Sequence, residues 1–574
     1  MLRTRRCLAA LYLLSALATH AFAAEDSSQA PETQVLEPQQ LAPGTPIANP
    51  FSGLYANLFQ NTKTLELQQS TAGNAAPWAV RPVDVYGRVS WHSLETAGAG
   101  NYDFSVIDKV LAALPPGERF GFRVMAFNPQ QKSETNVATG ADGYPVYSDV
   151  PAYLETRAHG WLLPIDPQDA TQGHYFIPDW NDPYVLQRIA ELVTALGRAY
   201  DRDPRIGWVD IGLYGSWGEW HTSGLPDSAD YTHGIPYLPA APYFSVNQQQ
   251  YLSNKGVAGA YAAGTTANKT SIVQAYASAF PTSQLLMLTD DGDAVCYALG
   301  LAGRPKPIGL RRDSLGSSVN SFYWQFPAAL PGCNAAADVQ AILARWRTAP
   351  FVTEAYGNGA SPTFPCQSFE QYLPADKSHP YNCSVVQWNG AVPNYCVDEE
   401  VLETHIASIK NASLCSADWS SYPAVEQQAF LTAGLYAGYR LAPARIAVTA
   451  AWNRPGPLQV ETSWLNGGVT PAYDAWQVRY SLWRVQVRQP GPVLRWTSSV
   501  DLRQVLPTGA APFAPQTPLV VRDSIMLPTA LLPGTYELQM EVVDPKGYLA
   551  PMQLAVDGRL EDGRYTLGRI VIPE

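Results

Sequence analysis

Between about residues 50 and 440, short apolar runs alternate with stretches whose apolar positions recur at helical spacing. That is the pattern of an α/β fold with parallel strands. Eight runs read as strands: 53–59, 83–91, 119–127, 206–214, 284–290, 307–313, 350–356 and 405–410. The sharpest helix precedes the fourth. Asp182-Pro183 offers a capping acid followed by proline at the first helical position, and Val185, Leu186, Ile189, Leu192, Val193 and Leu196 line one face. Val339-Ile342-Leu343-Trp346 leads into the seventh strand, and Phe430-Leu431-Leu435 follows the eighth. Eight strands with intervening helices predict a (β/α)8 TIM-like barrel with long insertions over 49–440.

After Arg440 the helical period disappears and strand alternation takes over, as in Trp476-Val478-Tyr480-Leu482 and Tyr536-Leu538-Met540-Val542. Turn residues such as Asn466-Gly467-Gly468, Pro533-Gly534 and Asp562-Gly563 separate the runs, so 441–574 reads as an antiparallel β-sandwich. At the other end, Arg3, Arg5 and Arg6 precede an apolar run from Leu8 to Ala18, and Ala21-Phe22-Ala23 offers a cleavage site. Residues 1–23 therefore read as a secretory signal and 24–48, rich in Pro, Gln, Ser and Ala, as a flexible linker. The apolar run is too short to span a membrane, no later uncharged stretch is longer, and a periplasmic or extracellular location is expected.

Composition narrows the partners. The 574 residues carry 50 acids against 38 Lys and Arg, and removal of three arginines with the signal takes the formal charge from −12 to −15. No basic block exists to neutralise phosphates, which argues against a nucleic-acid partner. Charged residues are only 15% and aromatic residues 11%, a surface suited to neutral polyhydroxylated ligands. The mature chain keeps six cysteines, Cys296, Cys333, Cys366, Cys383, Cys396 and Cys415, within about 120 residues. In an exported chain these are disulfide candidates with 15 possible pairings. None stands in the close pairs that zinc requires, so no metal and no cofactor is expected.

In a parallel barrel, reactive groups come from the carboxyl ends of strands. The fourth runs into Gly215-Ser216-Trp217-Gly218-Glu219-Trp220-His221 and the seventh into Thr353-Glu354-Ala355-Tyr356. Two carboxyl groups across a barrel mouth are what glycoside cleavage needs: one protonates the leaving oxygen, the other attacks the anomeric carbon or activates water. Glu219 and Glu354 are thus the candidate catalytic pair; each also reads as an ordinary capping or solvated loop acid. Trp91, Arg123, Trp217, His221, Asp290 and Asp313 are the candidate substrate-binding residues, with the tryptophans beside Glu219 expected to present faces to sugar rings and lower local polarity. Arg311 and Arg312 end the sixth strand, His405 begins the eighth, and Asp290-Asp291-Gly292-Asp293 reads as a turn ahead of a calcium loop. No serine-nucleophile elbow or phosphate loop is present.

Several segments resemble bacterial exported proteins that carry the DUF4832 domain: Asn49-Pro50 with Gly53, Arg88-Val89-Ser90-Trp91 followed by Asn101-Tyr102-Asp103-Phe104 and Ile107-Asp108, Ile177 to Pro183, Gly215 to His221, Gly438-Tyr439-Arg440-Leu441 and Asp562-Gly563-Arg564-Tyr565. The resemblance implies a glycosidase-like barrel with a C-terminal β domain. By likeness to retaining barrel hydrolases it also implies Glu219 as acid/base and Glu354 as nucleophile. Gly218 stands where those hydrolases carry an asparagine. The expected function is cleavage of an oligo- or polysaccharide, probed against the alternative of non-catalytic carbohydrate binding or envelope polysaccharide assembly.

Overall fold

The computed structural model describes residues 31–573 except 59, 62–63, 66–79, 97, 130–135, 141–142, 159, 166–168, 222–262, 316–341, 356–386, 389–391, 394–400, 403, 412–423, 486–490 and 510–511. The signal expected at 1–23 lies outside them. Each expected strand overlaps one observed, and all but the sixth, which runs two residues further, contain it: β1 (Gly53–Asn57), β2 (Asp84–Ser90), β3 (Arg119–Met125), β4 (Ile206–Asp210), β5 (Leu285–Leu288), β6 (Gly309–Leu315), β7 (Phe351–Ala355) and β8 (Ser408–Lys410). They pair in chain order, all parallel, and β8 pairs with β1 to close the barrel.

Period-two alternation explains why nearly every strand residue is buried. On β3, Phe120, Phe122 and Val124 face the outer helices, while Gly121 and Arg123 face inward; on β4, Val209 packs outward and Trp208 and Asp210 inward. The lower interior is aromatic, with Phe51, Tyr55, Tyr86 and Trp208 in one cluster. Gly121 makes room for this layer, since a Cβ there would lie 2.1 Å from Trp208 Cε2. One step nearer the carboxyl ends the inward positions turn polar, and Arg88 of β2 stands opposite Arg123 of β3.

The helix Pro183–Tyr200 has the expected cap: Asp182 Oδ1 accepts from the Tyr184 N–H at 2.8 Å. Its Gly197 lets the helix Thr266–Ala279 approach closely, because a Cβ would meet the Ala279 oxygen at 2.2 Å. An unexpected four-stranded sheet of Asn136–Thr139, Pro145–Ser148, Gly160–Pro164 and His174–Pro178 is inserted between β3 and this helix. No described helix is long and apolar enough to cross a membrane.

Downstream, β9 (Leu441–Ala450), β10 (Gly456–Asn466), β11 (Gln477–Arg484), β12 (Leu494–Thr497), β13 (Leu519–Leu527), β14 (Gly534–Val543) and β15 (Tyr565–Ile572), joined by one strand from before the barrel, form two antiparallel four-stranded sheets that contribute to one buried cluster. The fourth strand of the first sheet corrects the expected linker: Glu32–Leu36 pairs with β9 from Glu32–Ala450 to Leu36–Ile446. Backbone hydrogen bonds hold it, and of its five side chains only Leu36 is fully buried, so its polar composition hid it. Asp474 ties this region to the barrel, accepting from Arg119 at 2.7 Å and Lys306 at 2.9 Å.

Candidate active site

The segment after β4 is bent into unusual backbone. Leu213, Gly215, Trp217, Gly218 and Trp220 all have positive φ, three of them non-glycine residues at 67°, 53° and 67°. Such strain persists only where the surroundings impose it. Here the Leu213 N–H donates to Val124 O and the Trp217 N–H to Phe127 O, both at 2.8 Å, and the Trp220 indole donates to Ile211 O. Gly218 sits directly on β3: a Cβ would fall 2.9 Å from Val124 O and 3.3 Å from Arg123 Cδ. An asparagine at this position would be strained in φ and crowded, which gives Gly218 a structural reason. The fold-back delivers Glu219 onto Arg123.

Glu219 is buried, with Oε1 accepting from Arg123 Nη1 at 2.7 Å and Oε2 lying 3.2 Å from His221 Nε2. Glu354, also buried, comes in from β7; its Oε2 accepts from Lys410 Nζ at 2.9 Å and Arg311 Nη2 at 3.2 Å. Arg88 joins the two, its Nη2 lying 2.5 Å from Glu219 Oε1 and 2.6 Å from Glu354 Oε1. One nitrogen reaching both oxygens places Glu219 Oε1 and Glu354 Oε1 no more than about 5 Å apart. Beneath them, the fully buried Asp210 accepts from Tyr86 at 2.8 Å and pairs with Arg123 at 3.1 Å and Arg311 at 3.3 Å.

This packing sets the charges. Burial pushes the Glu219 carboxyl up, but Arg88 and Arg123 together with the His221 hydrogen bond outweigh it and hold the group at about 2. Glu219 is therefore ionised in the resting site. Asp290, half-buried just beyond β5, moves the other way: burial raises it to about 6 against the opposing charges of His221, Arg312 and Arg123, and its Oδ2 has no hydrogen-bond partner among the described residues. Burial also lowers Lys410, although Glu354 opposes this.

The sequence-derived site residues separate into groups. Glu219, Glu354, Arg123 and His221 converge, with Asp290 electrostatically beside them. Arg123, fully buried, holds Glu219 and Asp210 where a substrate contact was expected. Trp217 is half-buried with its ring 5.6 Å from His221, so it offers an aromatic face; Trp220 is fully buried core. Trp91 is a correction: it lies fully buried in the outer core with its indole donating to Glu95 Oε2 at 2.8 Å, and presents no face to a ligand. Asp313 is on β6, its side chain outside the described residues. Asp291 caps the helix Gly292–Gly300 and pairs with Lys269 at 2.5 Å, and Asp293 accepts from Thr266, so the acidic turn is occupied by structural contacts. His405 stacks on Trp346 at 3.7 Å, away from the carboxylates. Of the cysteines, Cys296 lies in the helix Gly292–Gly300 and the other five fall outside the described residues, as does any pairing among them. Sequence reasoning missed Arg88, Asp210 and Lys410 as site residues; a charge at an inward position near the end of an apolar strand was their signal.

No family model and no curated sequence matches the chain. The resemblance to DUF4832-domain proteins thus rests on its own segments. Solved glycoside hydrolases of barrel fold are similar in part. Endo-glycoceramidase II from Rhodococcus sp., as its lactosyl-enzyme intermediate, is 12% identical over 75% of this chain and 89% of its own, with a TM-score of 0.34. The catalytic domain of beta-amylase from Paenibacillus polymyxa is 10% identical over 67% of this chain and 98% of its own, with a TM-score of 0.29. An endoglucanase is 9% identical over 66% and 97%, with a TM-score of 0.27.

Proposed function

We propose that the chain is an exported glycoside hydrolase that cleaves an oligo- or polysaccharide with retention, Glu354 acting as nucleophile and Glu219 as acid/base. The observation that carries this reading is the pair of buried carboxylates bridged by Arg88 within about 5 Å. Arg311 and Lys410 place positive charge against Glu354 Oε2, a setting that suits a carboxylate nucleophile. A sugar ring entering between the carboxylates separates Glu219 from Arg88, which removes one of the two guanidinium groups that lower its carboxyl, and Glu219 takes up a proton from solvent before it acts as the acid. Glu354 attacks the anomeric carbon as the glycosidic C–O bond breaks and the Glu219 proton passes to the leaving oxygen. Water then attacks the anomeric carbon, returns a proton to Glu219 and releases Glu354. Trp217 supplies the stacking face and His221 a sugar-hydroxyl partner. The two C-terminal sheets pack as a sandwich, and disulfides among the six cysteines staple the loops of the barrel's second half.

The resting ion pairs favour a second reading, a carbohydrate-binding or polysaccharide-assembly protein whose carboxylates are structural. Reducing sugar released from a glycan panel by wild type, Glu219→Gln and Glu354→Gln separates them. Hydrolysis lost in both variants is expected; binding without turnover, unchanged by Glu219→Gln, selects the second reading.

A further inference from the structure

Arg440 belongs to a sequence motif that the catalytic face does not use. The residue is only 6% exposed, its guanidinium lies 5.2 Å over the Phe513 ring, and it has no ion-pair partner among the described residues. Burial lowers its guanidinium to about 10. A buried cation without a counter-ion is costly, so its environment is completed when an anion arrives.

Beside it lies a cavity of about 400 Å³ between the start of β1 and the helix Ala424–Tyr436. The size is that of a small-molecule pocket. Ile47, Leu54, Val80, Leu431 and Leu435 make its wall apolar, and Arg440 is the one charged lining residue among the described residues. Val80 and Leu431 are among the larger apolar side chains left exposed, at 37% and 36%. The cavity touches β1 at its first residues, Gly53 and Leu54, whereas Glu219 and Glu354 belong to the carboxyl ends of the strands. It is a separate site.

We propose that this cavity binds an amphiphile with a single apolar chain and an anionic head, the chain against Leu54, Leu431 and Leu435 and the head on Arg440. An apolar wall alone would accept any hydrophobic molecule; the lone arginine selects the charge. Carboxylate and phosphate heads share this chemistry.

Titration calorimetry of the full chain with decanoate, decanol and decyltrimethylammonium tests it, with decyl phosphate distinguishing a phosphate head. Decanoate or decyl phosphate is expected to bind one-to-one at least tenfold more tightly than decanol, and the ammonium not at all. Arg440→Met should remove the preference for the anion while leaving decanol binding in place, and Arg440→Lys should restore it. Thr432→Trp, which fills the cavity and keeps the arginine, should abolish binding of all. In the ligand-free protein Arg440→Met should raise the melting temperature, and added decanoate should reverse that order. Absence of saturable anion binding to wild type, or a preference for anions that survives in Arg440→Met, overturns the proposal.

Discussion

Arg88 Nη2 lies 2.5 Å from Glu219 and 2.6 Å from Glu354, so a single guanidinium group from β2 couples the carboxylates delivered by β4 and β7. Removing it leaves two acids within about 5 Å with one cation fewer, and like charges at that distance resist joint ionisation. Arg88→Met is expected to cost about 3 kcal/mol at pH 7. The loss should be smaller at pH 5 than at pH 7, because protonation of either carboxyl relieves the repulsion. Guanidinium unfolding at the two pH values checks this, and an equal loss at both would show that the carboxylates are not coupled through Arg88.

Asp290 and Glu219 make opposite contributions to the pH dependence of stability. Asp290 is raised to about 6 in the folded state, so the unfolded chain, with its ordinary value of 3.8, releases the proton first. Its contribution is full below about pH 4 and is lost as pH rises through 6. Asp290→Asn should therefore gain on wild type in urea midpoint between pH 4 and 7. Glu219, held at about 2 against an ordinary 4.5, contributes stability above pH 4.5 that is lost on acidification toward 2. Glu219→Gln should flatten that acid limb; parallel curves for each variant and wild type would contradict these charge assignments.

Gly121 is the space that Trp208 fills. A Cβ would lie 2.1 Å from a ring that is fully buried and stacked on Tyr86 at an interplanar angle of 5°. Gly121→Ala is expected to destabilise by about 3 kcal/mol through overpacking. Adding Trp208→Phe should restore part of the loss. Additive losses in the double variant would contradict the contact.

The barrel strands were legible because each reads as a short apolar run, and all but the first bury nearly every described residue. The Pro183–Tyr200 helix was legible through Asp182 and its apolar stripe. The strand Glu32–Leu36 was not, because its partnership with β9 lives in the backbone and only Leu36 enters the core. The short strands of the inserted sheet gave too few alternations to count. At the site, Glu219 and Glu354 stood out by strand-end position, whereas Arg88 joins a partner 266 positions away, and nothing local reveals such a pairing. Trp91 misled for the converse reason: an aromatic residue at a strand end reads as a platform until its burial against Glu95 is known.

The central claim, a retaining carboxylate pair, is tested most directly by intact-protein and peptide mass spectrometry after incubation with a panel of fluorinated glycosyl donors that form slow-turnover covalent intermediates. The expected result is one glycosyl adduct, mapped to Glu354, absent from Glu354→Gln and formed more slowly in Glu219→Gln. Turnover of a donor with no adduct, an adduct on another residue, or no reaction with any donor under conditions where the protein binds the glycan would contradict it.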